Sequence, residues 1–224
     1  PAPSRAERGL EKLRGASALC ALMFAGLLLG SGIGLAMSYV PSQAEAFASV
    51  LYIRQQGGIG ALLRAMHYPL SSGIVVATFL MVITGVLTEE HRARKWEYRL
   101  SVVSLLLMIG FCFTGYVLPM DQSAYWGTSV RLGIVETVPV VGGMQADMLR
   151  GGSTFGAATL PRFYALHVAV FPLVLVILVL LGFRDALDRA ARTGGTRLIA
   201  ACGLIAIAVF VMAANFPAPL EPRA

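Results

Sequence analysis

The sequence predicts an all-α membrane protein with five transmembrane helices, and three observations carry that prediction. Of its 224 residues, 57% are hydrophobic and only 13% charged, where about 25% charged is usual for a soluble domain. Five stretches are apolar over roughly the ~20 helical residues that cross a hydrocarbon core. None of them alternates apolar with polar residues, which excludes the strands of a transmembrane barrel.

Segment A is Ser17–Tyr39. It is longer than the apolar region of a secretory signal, and no small-residue cleavage site leads from it into polar sequence, so a retained helix is expected. Segments B (Tyr68–Leu87), C (Leu100–Leu118), D (Phe163–Phe183) and E (Leu198–Asn215) follow. Pro161 suits the first turn of D, and Pro172 predicts a kink within it. The B–C and D–E connections are short and basic. The A–B (Val40–His67) and C–D (Pro119–Arg162) connections are longer and rich in Gly, Pro and aromatic residues. Within C–D, SAYWGTSVRLGIVETV and GMQADMLRGG read as short helices lying along the surface. Long connections in a compact domain usually carry function, so the functional surface is expected on their side.

Charge placement orients the bundle. Twelve of the eighteen basic residues fall at the N-terminus (Arg5, Arg8, Lys12, Arg14), in B–C (Arg92, Arg94, Lys95, Arg99) and in D–E (Arg184, Arg189, Arg192, Arg197). The positive-inside rule then puts the N-terminus in the cytoplasm and the C-terminus outside. The net charge of +6 therefore reports topology rather than a nucleic-acid surface. Cys20, Cys112 and Cys202 all lie in apolar helices. They form neither a haem-attachment motif nor a metal-binding spacing, and read as packing residues.

Two of the three histidines, His67 and His167, sit in apolar stretches near the external ends of B and D. An ionisable side chain in a membrane segment is a functional candidate by default. Two imidazoles on facing helices can clamp a haem iron from both sides. Arg64 precedes His67 by three residues, on one face if the helix starts that early, and its guanidinium suits an anionic haem propionate. Arg162 precedes His167 by five and is placed to reach from the helix start. The alternative for either histidine alone is a hydrogen-bonded packing residue.

Ordered sequence blocks favour the haem. EAFASVLYI (45–53), LLRAMH (62–67), GYVLPMDQ (115–122), VPVVG (138–142) and TLPRFYALH (159–167) resemble the cytochrome b/b6 family, and the b6-type subunit in particular. The resemblance spans about residues 15–185. It implies a four-helix transmembrane bundle A–D of cytochrome b type, with haem b between B and D. The fifth transmembrane helix, E, and its tail ANFPAPLEP are similar to the opening of the family's second domain. The expected organisation is therefore a cytoplasmic segment 1–16, a haem domain 17–185, and a fifth helix with external tail over 186–224.

The family stacks two haems, with a second histidine fourteen or fifteen residues after each first. That spacing keeps the helical face and moves about 21 Å towards the cytoplasm. Here position 81 is Met81, and positions 181 and 182 are Leu181 and Gly182. Where the family sets glycine against haem edges, Gly32 and Gly115 hold the outer places, but the inner ones are Ala18 and Ser101. Thr84 stands where an inner propionate arginine is expected. Met81 as a thioether ligand is a rival, but Gly182 offers nothing opposite. Cys20 lies one turn from the position that anchors an extra haem in some b6-type proteins, and that position holds Ala16, so no such haem is expected. The expectation is one bis-histidine haem b, with the inner haem absent.

The resemblance implies a subunit of a larger respiratory or photosynthetic complex in a bacterial inner membrane. It would handle electrons between quinol and a periplasmic partner without a two-haem Q cycle. The partners implied are quinone, membrane lipid, and subunits supplying a second cytochrome b domain or an iron–sulfur or cytochrome c protein. Asp121 is a candidate proton-handling group, and Tyr125, Trp126 and Gly127 are quinone-site candidates, with interfacial anchoring as the alternative for the aromatics. Two other functions stay open: a haem-bearing anchor for a periplasmic oxidoreductase, and a haem-free structural subunit.

Overall fold

A computed structural model describes residues 4–193 and 195–224. The described residues are almost entirely helical, and the elements follow the predicted segments with earlier starts. Helix α1 (Arg5–Ala36) begins twelve residues before the apolar run, because Ser4 and Glu7 close a capping box. The Glu7 amide donates to Ser4 Oγ at 3.2 Å, and the Ser4 amide donates to Glu7 Oε2 at 2.6 Å. The reciprocal bonds satisfy two amides that the first turn leaves open. After the short α2 (Ala46–Gln55), Gly57 adopts φ 65° and turns the chain into α3 (Gly58–Leu87). Arg64 and His67 are thus already helical and share a face.

A one-turn α4 (Glu90–Ala93) leads to α5 (Lys95–Tyr116). The two surface helices expected in the following loop are α6 (Gln122–Glu136) and α7 (Gly142–Arg150). The next span is built in three pieces: α8 (Thr159–Ala165), a π-helical turn Leu166–Val170, and α9 (Phe171–Thr193). Helix α10 (Gly195–Asn215) follows.

Helices α1, α3, α5 and the α8–α9 span form a four-helix bundle. Neighbours in the ring are α1 with α3, α3 with α5, α5 with α9, and α9 with α1, while α10 docks outside against α1, α3 and α9. Phe24, Ala25, Leu70, Ile74, Met108 and Leu175 make the central core. A second cluster, Ala46, Val117, Met120, Leu132, Leu160 and Phe163, ties α2 and α6 to the end of the bundle that holds the α1–α3 and α5–α8 connections, named the outer end after the expected orientation. Elsewhere the apolar side chains face outward: Ile33, Leu106, Leu180 and Leu204 are 62–73% exposed. A chain with so much outward apolar surface has lipid, not water, as its solvent. Four helices are long and apolar enough to cross a membrane by length and composition, and the described apolar part of α10, Ile199–Asn215, is shorter.

The tail after α10 folds back over the outer end. The Gln122 amide donates to the Pro222 carbonyl at 2.9 Å, and the Ala224 amide to the Met120 carbonyl at 3.4 Å. One basic residue departs from its predicted place. Arg14 is 2% exposed and turned into the bundle, rather than lying with the charges that flank the helices.

Candidate functional site

His67 on α3 and His167 on the π turn face each other across the outer half of the bundle, ring centroids 6.3 Å apart. Pro172 explains the π turn. It has no amide to give to Val168, and its ring would press on that carbonyl, so the ladder slips by one residue. The Phe171 amide bonds to Leu166, five residues back. The widened turn carries His167. The irregularity at Pro172, where the sequence predicts a kink, is a π turn just before it.

Two hydroxyls set the imidazoles. Ser31 Oγ lies 2.9 Å from His67 Nδ1 and donates its hydrogen to the Leu27 carbonyl at 2.7 Å. Thr114 Oγ1 lies 3.1 Å from His167 Nδ1 and donates to the Gly110 carbonyl at 2.9 Å. With its one hydrogen on its own helix, each hydroxyl oxygen can accept from an Nδ1–H of its histidine. That arrangement favours the tautomer whose Nε2 keeps its lone pair, which is the metal-binding form. Phe111 meets His167 edge-on at 5.4 Å and limits its rotation.

Each hydroxyl immediately precedes one of the singled-out glycines. A Cβ on Gly32 would sit 3.5 Å from His67 Cε1, and one on Gly115 only 2.6 Å from His167 Cε1. The structure therefore brings His67, His167, Gly32 and Gly115 together, and adds Ser31 and Thr114, which the sequence reading missed. The signal was present as Ser-Gly and Thr-Gly pairs on the two other helices of the bundle. Among the described residues no three His, Cys, Asp or Glu side chains are grouped to hold a metal ion. Two imidazoles alone suit a metal whose remaining ligands come with it.

The arginines lie further out. Arg64 donates to the tail carbonyls of Ala218 at 2.7 Å and Pro219 at 2.6 Å. Arg162 donates to the Met148 carbonyl and packs along Gly151. Asp121 is buried, with both carboxylate oxygens in use. Oδ1 caps α6 by accepting from the Ala124 amide at 2.9 Å, and Oδ2 accepts from the Glu221 amide at 3.1 Å. Tyr125 packs on Phe155 in the outer cluster, while Trp126 stays 61% exposed and donates to Gln122. Gly127 lies against the Tyr116 ring, over which the Arg131 guanidinium stacks at 4.0 Å.

Below the histidines, Ala18, Met81, Ser101 and Gly182 line one cavity of about 100 Å³, with Arg14 and Glu97 in its wall.

These features define a membrane four-helix bundle with paired histidines on opposite helices. The family model for cytochrome b/b6/petB matches residues 13–186, and the chain belongs to this cytochrome b family. It is 38% identical over 154 residues to cytochrome b6 of Synechococcus elongatus, covering 68% of this chain and 72% of that protein. It is 37% identical over 156 residues to cytochrome b6 of Gracilaria tenuistipitata var. liui and of Chlamydomonas reinhardtii, covering 69% of this chain and 73% of each relative. Among solved structures, a chain of a hyperthermophilic respiratory Complex III superposes with a TM-score of 0.74 at 22% identity. The match covers 94% of this chain and 65% of that one, and shows the shared fold. Membership of the family implies haem b binding and a place in membrane electron transport.

Proposed function

We infer that this chain is an electron-transfer subunit whose 17–185 region carries one haem b near the external face, which His67 and His167 would hold. The observation that carries this reading is the matched pair of imidazoles, each with a hydroxyl within hydrogen-bond distance of its Nδ1. Their closeness supports it, the ring centroids lying 6.3 Å apart. A bound haem b supplies one-electron chemistry. The protein's part is to hold the two rings, bury them from water, and tune ligand basicity through Ser31 and Thr114. Gly32 and Gly115 keep helices α1 and α5 close to the rings.

Fourteen or fifteen residues further along each helix, Met81 and Leu181 or Gly182 offer no imidazole pair, which supports a single haem and electron entry and exit on the same side. Quinol oxidation would take place at the outer surface around Asp121, Tyr125, Trp126 and Gly127. Arg64 and Arg162, which donate to backbone carbonyls in this structure, would turn to serve as propionate partners. The partners proposed are quinone and the other subunits of a bacterial inner-membrane complex, including a second cytochrome b domain and an iron–sulfur or cytochrome c protein. The basic N-terminal, α3–α5 and α9–α10 connections support a cytoplasmic N-terminus and an external C-terminus.

Reduced-minus-oxidised difference spectra of membranes holding the native chain, His67→Ala and His167→Ala test the assignment. A b-type band in the native protein and none in either variant is expected. A band that persists in either variant contradicts the ligand assignment, and no band in the native protein leaves only a structural role.

A further inference from the structure

Resting on the single-haem reading, we propose that the inner storey of the bundle is closed to haem by an arginine plug, in which Arg14 is held by Glu90. Loss of ligands leaves a cavity of about 100 Å³ at this storey. The guanidinium of Arg14 stands in its wall at the cytoplasmic end and engages the positions where the family's second site departs. It donates to the carbonyl of Met81, the residue standing where the second α3 histidine belongs. Its Nη2 lies 3.4 Å from Ser101 Oγ, at the inner glycine position of α5. The same nitrogen pairs with Glu90 Oε2 at 2.5 Å, both side chains being nearly fully buried.

Gly85 makes the arrangement sterically possible. It lies one turn beyond Met81 on α3, and a Cβ there would come within 2.6 Å of Arg14 Nη1 and 3.2 Å of its Cζ. A glycine at that point opens the Met81 carbonyl to a side chain from α1. The plug thus has a donor (Arg14), a counter-charge (Glu90), an exposed acceptor (Met81) and a clearance (Gly85), drawn from three helices. A buried guanidinium keeps its charge and tolerates this place because it is paired and hydrogen-bonded. Its removal leaves Glu90 without that ion pair and opens the storey from the cytoplasmic side.

The test restores ligands with and without the plug, and counts b haem per chain by pyridine haemochrome. Met81→His and Gly182→His with Ala18→Gly and Ser101→Gly, in the otherwise native chain, is expected to keep one haem. Adding Arg14→Ala is expected to raise the count to about two. Two haems before Arg14 is replaced, or one after it with the outer-haem band intact, overturns the plug. A second measurement covers failed assembly. In a chain whose native cysteines are replaced by alanine, Ser104→Cys on the cavity wall should resist a water-soluble maleimide. Its labelling should become at least tenfold faster on adding Arg14→Ala or Gly85→Leu, and an unchanged rate overturns the proposal. Two haems in the native chain would instead defeat the single-haem reading, before any variant is made.

Discussion

Replacing Gly115 by alanine should detach the haem far more readily than the same change at Gly32. At Gly115 the added methyl lies 2.6 Å from His167 Cε1, 3.1 Å from Nδ1 and 3.2 Å from Nε2. Carbon pairs settle at about 3.5–4.0 Å, so the imidazole or helix α5 must retreat by about 1 Å. The ring has little room to do so, being tied to Thr114 at 3.1 Å and backed by Phe111. Metal–ligand distances tolerate about 0.2 Å, so a retreat of that size breaks ligation on the α9 side. Overpacking of this kind costs about 1–3 kcal/mol, or roughly one to two orders of magnitude in haem affinity. At Gly32 the new methyl would lie 3.5 Å from His67 Cε1, an ordinary contact. Haem per chain and the reduced-minus-oxidised spectrum of each variant, at matched expression, read the difference. Stoichiometric haem with an unchanged midpoint potential in Gly115→Ala would refute the steric reasoning. Equal losses in both variants would show that something other than contact with the histidine ring governs these glycines.

Four further outcomes follow from the contacts described. Thr114→Val or Ser31→Ala removes the acceptor for an Nδ1–H, and is expected to weaken haem retention about 10- to 100-fold, measured by competition with an apo-haem acceptor. Asp121→Ala should cost about 1 kcal/mol by uncapping α6, while Asp121→Asn, which keeps a capping oxygen, should cost much less. Thermal melts of detergent-solubilised protein check that order, and a quinol-oxidation loss in Asp121→Asn without a melting shift would assign the carboxylate a chemical role. Glu90→Gln removes the carboxylate paired with the buried Arg14, and should destabilise the fold by about 1.5–3 kcal/mol, seen as loss of the folded fraction in denaturant titrations. Cys20 and Cys202, whose sulfurs lie 2.8 Å apart between α1 and α10, should cross-link under copper–phenanthroline. Loss of two free thiols is the expected readout, and full thiol retention would contradict the docking of α10.

What the sequence made legible is what apolar periodicity and family spacing encode. The spans, the two histidines, Gly32 and Gly115, and the inner places Ala18, Met81 and Ser101 converge as the ordered blocks suggest. Helix starts were not legible from hydropathy, because the first turns of α1 and α3 are not uniformly apolar. The Ser4–Glu7 capping box and Gly57 set those starts instead. Ser31 and Thr114 escaped notice because a hydroxyl bonding back to its own helix looks like ordinary packing until the facing imidazole is placed beside it. Arg14 read as a topology charge for the same reason. Only the tertiary structure shows Gly85 clearing the space it enters. The π turn was written in Pro172 as a kink, but its position at His167 depends on how α9 re-registers. The tail over Asp121 and Arg64 is a long-range contact that no local pattern encodes.

The central claim is that this chain holds one haem b, in the outer half of the bundle. Pyridine haemochrome against quantified protein, with a potentiometric titration of the b band, tests it most directly. The account predicts one haem per chain and a single one-electron wave. Two haems, or two resolved waves, would contradict it, and so would a folded chain that binds none.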